Sequence, residues 1–291
     1  MPASRSRTRS FLLAAGAAAL LGVGVESRAD LLAYEGFSYM NIGANLRGRT
    51  GGAGSFGFAA PWQAGGFNAS ISDNYDVAAD SLAFGNLLTE GNRAYTTSTN
   101  AIAGLTRSFT SPIGAAGTTR YYSFLLRPEG TVGAGAFEGF FGVTLETAVD
   151  PEVYTGKPGA GALTNYVIED RGGGDQRASL VPVVAGQTSL LVVKAQFGQA
   201  ADTFTLYVNP TPGGPEPASG IVKTSNTGDG LGLTLYSTGE FSIDELRLGE
   251  TFADVTPAAV VPEPATLALA APGLFALGLA ALRRARGRKA R

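Results

Sequence analysis

Period-two alternation of apolar and polar residues, broken at short intervals by Gly, Asn, Asp and Pro, runs through the middle of this chain and leaves it little to fold into but β-sheet. In residues 190–197, Leu191, Val193, Ala195 and Phe197 fall on one face, and Lys194 and Gln196 mark the other as wetter. After a turn over residues 198–202, Phe204, Leu206 and Val208 share one side of the next run. Asn209-Pro210 ends it, so the two runs read as a hairpin. Further strands are expected at residues 31–37, 121–127, 140–146, 165–169 and 232–236. The run 241–248 shifts its apolar phase between Ile243 and Leu246. That shift predicts a β-bulge at Asp244-Glu245 and gives the two acids a structural role in anchoring the last strand. No helical period interleaves these runs, and no Pro- or Ser-rich linker divides them. The expected fold class is all-β, a two-sheet antiparallel sandwich over residues 30–255, which the resemblance named below makes a jelly roll.

The two ends depart from that pattern. Arg5, Arg7 and Arg9 precede an apolar run over residues 11–25, and Ser27-Arg28-Ala29 puts small residues where a signal peptidase reads them. Residues 1–29 are therefore expected to be a signal peptide cut before Asp30. The arginines are not paired, which favours the general secretory route over the twin-arginine one. At the other end, residues 256–261 read as a linker and Pro262-Glu263-Pro264 precedes an uncharged run of 18 residues, 265–282. That is close to the roughly 20 residues a helix needs to span a bilayer. Pro272-Gly273 within it is tolerated where neighbouring helices or water satisfy the backbone. Arg283, Arg284, Arg286, Arg288, Lys289 and Arg291 follow, and the positive-inside rule keeps them cytosolic.

This order resembles the PEP-CTERM tail of exported bacterial proteins, in which a Pro-Glu-Pro signature, one transmembrane helix and an Arg-rich end are read by the membrane protease exosortase. The resemblance implies signal peptidase and exosortase as partners. It also implies an inner-membrane precursor and a mature form at the cell surface or outside the cell. A plain permanent anchor is the alternative.

Without the two ends, 12 basic residues face 22 acidic ones, a net charge of about −10. An acidic domain with no basic stripe lacks the footprint of nucleic-acid binding. The chain has no Cys and no His. Ser-His-Asp and Cys-His sites and His-ligated zinc are thereby excluded, and only carboxylate, Lys or Tyr chemistry remains.

The runs 190–197, 202–210 and 243–249 resemble the closing strands of concanavalin A-like, laminin-G-like jelly rolls. Phe140-Phe141-Gly142 and Gly156-Lys157-Pro158-Gly159 also look like features of such domains. The resemblance implies an envelope or matrix protein associated with extracellular polysaccharide, structural or adhesive, with a true lectin as the alternative. Glycoside hydrolases of that superfamily carry a Glu-x-Asp-x-x-Glu strand, which is absent here; Glu138, Glu146 and Glu169 read as isolated acids. An enzyme is therefore not expected. Trp62, in a loop-like context, is either a glycan contact or a core anchor. Asp73, Asp76 and Asp80, and Asp170 with Asp175, offer loop oxygens of the kind Ca²⁺ takes, though neither set matches a known loop and a solvated turn is the plainer reading. No other cofactor is implied. Residues 170–175 read as a mobile Gly loop, and Thr96-Thr97-Ser98-Thr99 occurs once, without the repetition an ice-binding ladder needs.

Overall fold

The computed structural model describes residues 30–65, 75–96, 102–130, 132, 139–162 and 164–259. The expected signal peptide, the Pro-Glu-Pro motif, the apolar run 265–282 and the basic end lie outside them. Among the described residues no helix is long and apolar enough to cross a membrane.

Two antiparallel sheets face each other. The first contains β1 (Leu31–Glu35), β3 (Tyr75–Ala78), β4 (Arg93–Thr96), β6 (Thr119–Pro128), β11 (Ser189–Gln196), β12 (Asp202–Val208), β13 (Ile221–Ser225) and β15 (Phe241–Gly249). Its order is β13-β12-β11-β6-β15-β4-β3, with β1 also paired to β15. The second contains β2 (Gln63–Ala64), β5 (Ala103–Ile113), β7 (Phe141–Thr147), β8 (Val153–Lys157), β9 (Asn165–Asp170), β10 (Gly174–Pro182) and β14 (Gly230–Ser237), in the order β10-β9-β8-β7-β14-β5-β2. The all-β two-sheet expectation is met.

The hairpin is β11–β12, with Val193 opposite Leu206. Its inward residues Leu191, Val193, Ala195, Phe197, Phe204 and Leu206 join Ile243 and Leu246 in the core between the sheets, and Val208 packs at its margin. The other face of β11 is drier than alternation implies. Leu190 and Val192 are fully buried in a second cluster with Leu125, Phe252 and Val255. A short helix, α1 (Phe252–Val255), supplies that lid. Thr251 caps it, its hydroxyl accepting the Asp254 N–H while the Asp254 carboxylate accepts the Thr251 N–H, a closed capping box.

The predicted bulge is present. Pairing of β15 with β6 shifts between Asp244 and Arg247, and Glu245 has φ +54°. The bulge coincides with a change of neighbour: Ser242 and Ile243 pair with β4, whereas residues from Leu246 onward pair with β1. Asp244 and Glu245 are both buried. Asp244 accepts the Leu82 N–H at 2.8 Å, and Glu245 accepts from Tyr34 Oη at 3.2 Å and the Glu90 N–H at 2.6 Å, so they fasten the strand to its surroundings. Residues 256–259, read from sequence as the start of the linker, lie against the domain: Leu88 N–H donates to Pro257 O at 2.9 Å and Ala259 N–H to Asn86 O at 2.8 Å.

Candidate functional site

The second sheet turns alternate residues inward: Leu105 on β5, Leu233 and Leu235 on β14, Val143 and Leu145 on β7, Val153 on β8 and Ile168 on β9. Their neighbours therefore point away from the core. Cross-strand register sets these outward residues in rows. One row holds Tyr236, Gly142, Gly156 and Val167. The next holds Thr106, Thr234, Thr144, Tyr154 and Glu169. A third starts with Gly232 and Glu146 and is prolonged by Glu152 and Arg171, whose N–H donates to Glu152 O at 2.9 Å.

Over the first two rows lies a cavity of about 330 Å³ walled by Phe140, Tyr154, Tyr236 and Ile102, with Glu169 and Arg171 as its charged residues and Gly159, Ala160, Gly172 and Gly173 along its edge. The Phe140 and Tyr236 rings are 5.0 Å apart. Gly142 makes room for Tyr154: a Cβ there would stand 2.9 Å from Tyr154 Cζ and 2.2 Å from Thr155 O. Tyr154 Oη is tied to Lys157 O at 2.6 Å, which fixes its ring. A pocket that is mostly apolar, with a few fixed polar groups, is the usual form of a small-ligand site.

The polar residues form a chain. The Thr106 and Thr234 hydroxyls are 2.5 Å apart, Thr234 Oγ1 also donates to Glu146, Glu146 and Glu152 hydrogen-bond each other, and Arg171 Nε lies 2.7 Å from Glu152 Oε2. Burial, then the neighbouring charge of Glu146, pushes the Glu152 carboxyl up to about 7, against the pull of Arg171. Burial likewise raises Glu169, although the Gln176 amide at 2.6 Å opposes it. The Tyr154 and Tyr236 phenols are raised, both chiefly by burial. In the middle of the second row Thr144 is fully buried, and its Oγ1 has no hydrogen-bond partner among the described residues. A buried orphan of this kind asks for an explanation, such as water or a ligand.

Glu146 is thus not isolated, as its sequence context suggested. The β7–β8 hairpin folds it onto Glu152, a residue the sequence reading passed over; two acids flanking Asp150-Pro151 were the available signal. Glu169 does reach the pocket, and Glu138 lies outside the described residues. A second cavity, of about 450 Å³, sits on the other sheet beside Tyr121, Lys194 and Glu216. Its polar groups are committed to one another: Glu216 accepts from Tyr121 at 2.8 Å, Tyr207 at 2.6 Å and Lys194 at 3.0 Å.

Trp62 is not a glycan contact. It is wholly buried, stacked on Phe37 at 6.0 Å, with Nε1 donating to Tyr39 Oη at 3.1 Å, so the core-anchor alternative holds. Asp170 and Asp175 are brought together, but around an ammonium: Lys223 Nζ is 2.8 Å from one and 3.0 Å from the other, with Arg177 also 2.7 Å from Asp175. The hydrogen bond from Lys223 lowers the Asp175 carboxyl. The Gly loop between them is a tight turn, with Gly172 and Gly173 at φ +99° and +94° and Gly173 N–H bonded to Asp170 O. Asp76 lies on β3 and Asp80 beyond its end, at φ +65°; Asp73 is outside the described residues. Among the described residues no three carboxylates gather to hold a metal ion. Thr96 is buried in β4, while residues 97–99 are not described.

No protein-family model matches the sequence, and no curated protein matches it. Solved structures do resemble it. The catalytic domain of a glycoside hydrolase family 131 protein from Coprinopsis cinerea matches with TM-score 0.50 at 12% identity, over 79% of this chain and 98% of that one. An endo-1,3-β-glucanase from Streptomyces sioyaensis matches at TM-score 0.42 and 8% identity, over 76% and 91%. Lectin I from Ulex europaeus matches at 0.36 and 10%, over 54% and 84%. At these identities the likeness concerns the jelly-roll architecture alone.

Proposed function

We propose that this chain is an exported, non-catalytic carbohydrate-binding protein of the envelope or extracellular matrix, a laminin-G-like jelly roll that holds polysaccharide in the pocket walled by Phe140, Tyr154 and Tyr236. That pocket carries the proposal. Aromatic walls accept the apolar face of a sugar ring, and Glu169 and Arg171 are placed to meet its hydroxyls.

The same geometry argues against cleavage. Glu146 and Glu152 stand side by side at the end of the β7–β8 hairpin, and neither lines the pocket. Two carboxyls that hydrolyse a glycosidic bond need roughly 5 Å between them for retention or 6.5–9.5 Å for inversion. Tyr154 and Tyr236, held protonated by burial, do not supply a phenolate base for elimination either. Titrating the purified full-length chain with β-glucans and sulfated galactans, with and without Ca²⁺, is expected to show binding without release of reducing ends. Tyr236→Ser and Phe140→Ala should each weaken it, with a thermal melt to verify that the variants fold. Hydrolysis abolished by Glu152→Gln would make the protein an enzyme.

Delivery is part of the proposal. The leader, the Pro262-Glu263-Pro264 signature, the apolar run and the basic end support passage through the secretory pathway and sorting by an exosortase-type protease. Glu263→Ala is expected to accumulate the uncut form in the inner membrane. An antibody against residues 283–291 that follows the wild-type protein to the cell surface would replace processing with permanent anchoring.

A further inference from the structure

Among the described residues the pocket has one basic residue, Arg171, and behind it stands a pair of carboxyls that no binding role uses. We propose that Glu152, beside Glu146, gates this pocket through Arg171, so that it takes a carboxylate-bearing sugar, a uronate, when Glu152 is protonated and rejects it when Glu152 is ionised. The proposal rests on the pocket being the glycan site.

Arg171 Nε is 2.7 Å from Glu152 Oε2, and Glu152 is hydrogen-bonded to Glu146, which is held in turn by Thr234. With both carboxyls ionised, two negative charges outweigh one guanidinium, and a sugar carboxylate arriving at Arg171 meets net repulsion. With Glu152 protonated, one of those two negative charges is gone and the repulsion falls. An incoming carboxylate then meets the guanidinium with less negative charge beside it, and a charge-assisted hydrogen bond to it becomes favourable. Among the described residues the other charged or titratable groups near the pair are few. Asp150 bears on Glu152 from the β7–β8 turn and Tyr236 from β14, and Glu169 faces the pocket from β9. Asp170 and Asp175 are held by Lys223. Glu169 and Asp150 are acids as well, so they act in the same direction as the pair. Burial, then the charge of Glu146, brings the loss of the Glu152 proton to about neutral pH.

Reciprocity makes the gate measurable: if protonation favours uronate binding, uronate must raise proton affinity by the same factor. The experiment is calorimetric titration of the full-length chain with polygalacturonate, whose own carboxyls stay ionised, and with its methyl ester, at about pH 5.5 and about pH 8.5, on either side of the transition. Wild type should bind polygalacturonate roughly tenfold more tightly at the lower pH, within the usual range of coupling between two sites. It should also take up protons on binding near neutrality, and bind the methyl ester equally at both. Glu152→Gln should keep the tight form at the higher pH and lose the proton uptake; Arg171→Gln should lose the preference for the acid over its ester. Both polymers binding wild type without pH dependence would overturn the gate and leave the pocket reading intact. Neither polymer binding, nor any neutral glycan, would overturn both. The wild-type comparison needs no variant, so a Glu152→Gln chain that failed to fold would not shelter the proposal.

Discussion

Arg107→Met is expected to lower unfolding stability by about 3–5 kcal/mol, the usual cost of removing one partner from a buried ion pair. Arg107 and Glu35 are both buried, and the guanidinium reaches the Glu35 carboxylate directly. Glu35 also accepts the Phe37 N–H at 2.8 Å and the Tyr39 and Ser55 hydroxyls at 3.1 Å. Arg107 donates to Ala60 O and Thr50 O at 3.0 Å and lies 4.7 Å from the Phe58 ring, so methionine replaces its stem but none of its donors. Burial already raises the Glu35 carboxyl above its ordinary 4.5, with Arg107 opposing. Without Arg107 the folded state holds that proton to still higher pH, while the unfolded chain releases it near 4.5. A folded state that binds more protons loses stability as pH rises, so the deficit should be larger at about pH 8 than at about pH 4. Urea melts at the two pH values test this, and Glu35→Gln added to Arg107→Met should recover part of the loss. A deficit below about 1 kcal/mol, flat in pH, would mean that Glu35 had gained access to water.

Trp62→Ala is expected to cost about 3–5 kcal/mol, as for other large aromatic truncations in a core. It removes the stack on Phe37 and frees Tyr39 Oη, which receives the indole N–H and donates to Glu35. Because Trp62, Tyr39, Glu35 and Arg107 form one connected network, the two variants together should fall short of the sum of their separate losses. Glycan affinity of the folded variant should be unchanged. Unaltered stability with lost binding would restore the exposed-indole reading of Trp62.

What the sequence made legible were elements whose alternation survives in the structure. β11 and β12 keep one inward face, and the phase slip at Asp244-Glu245 marked a real bulge. Alternation fails where both faces are covered. Leu190 to Val193 is apolar throughout because α1 and the segment around Leu82 and Leu87 close over its outer side. β2, β3, β4, β5, β8, β10 and β13 escaped the reading; most are short, or sit at an edge where one side is wet, as in β10, whose Leu180 is 97% exposed. The site was less legible still. Aromatic and acidic residues from β7, β8, β9 and β14 share one face only through cross-strand register, which no local window contains. The Lys223 ammonium, supplied by a strand far along the chain, turned a carboxylate pair that looked fit for a cation into an ion-paired corner.

The place of β15 bears on when this protein can fold. It follows every other strand in chain order, yet it lies between β6 on one side and β4 and β1 on the other, and Tyr34 Oη meets Glu245 across 211 positions. Until residue 249 has emerged, β1 has no sheet to join and β6 lacks its second neighbour. Contacts so distant in sequence make closure slow and late. A chain built this way stays open, its first strand unpaired, until the strand that closes the sheet is at hand.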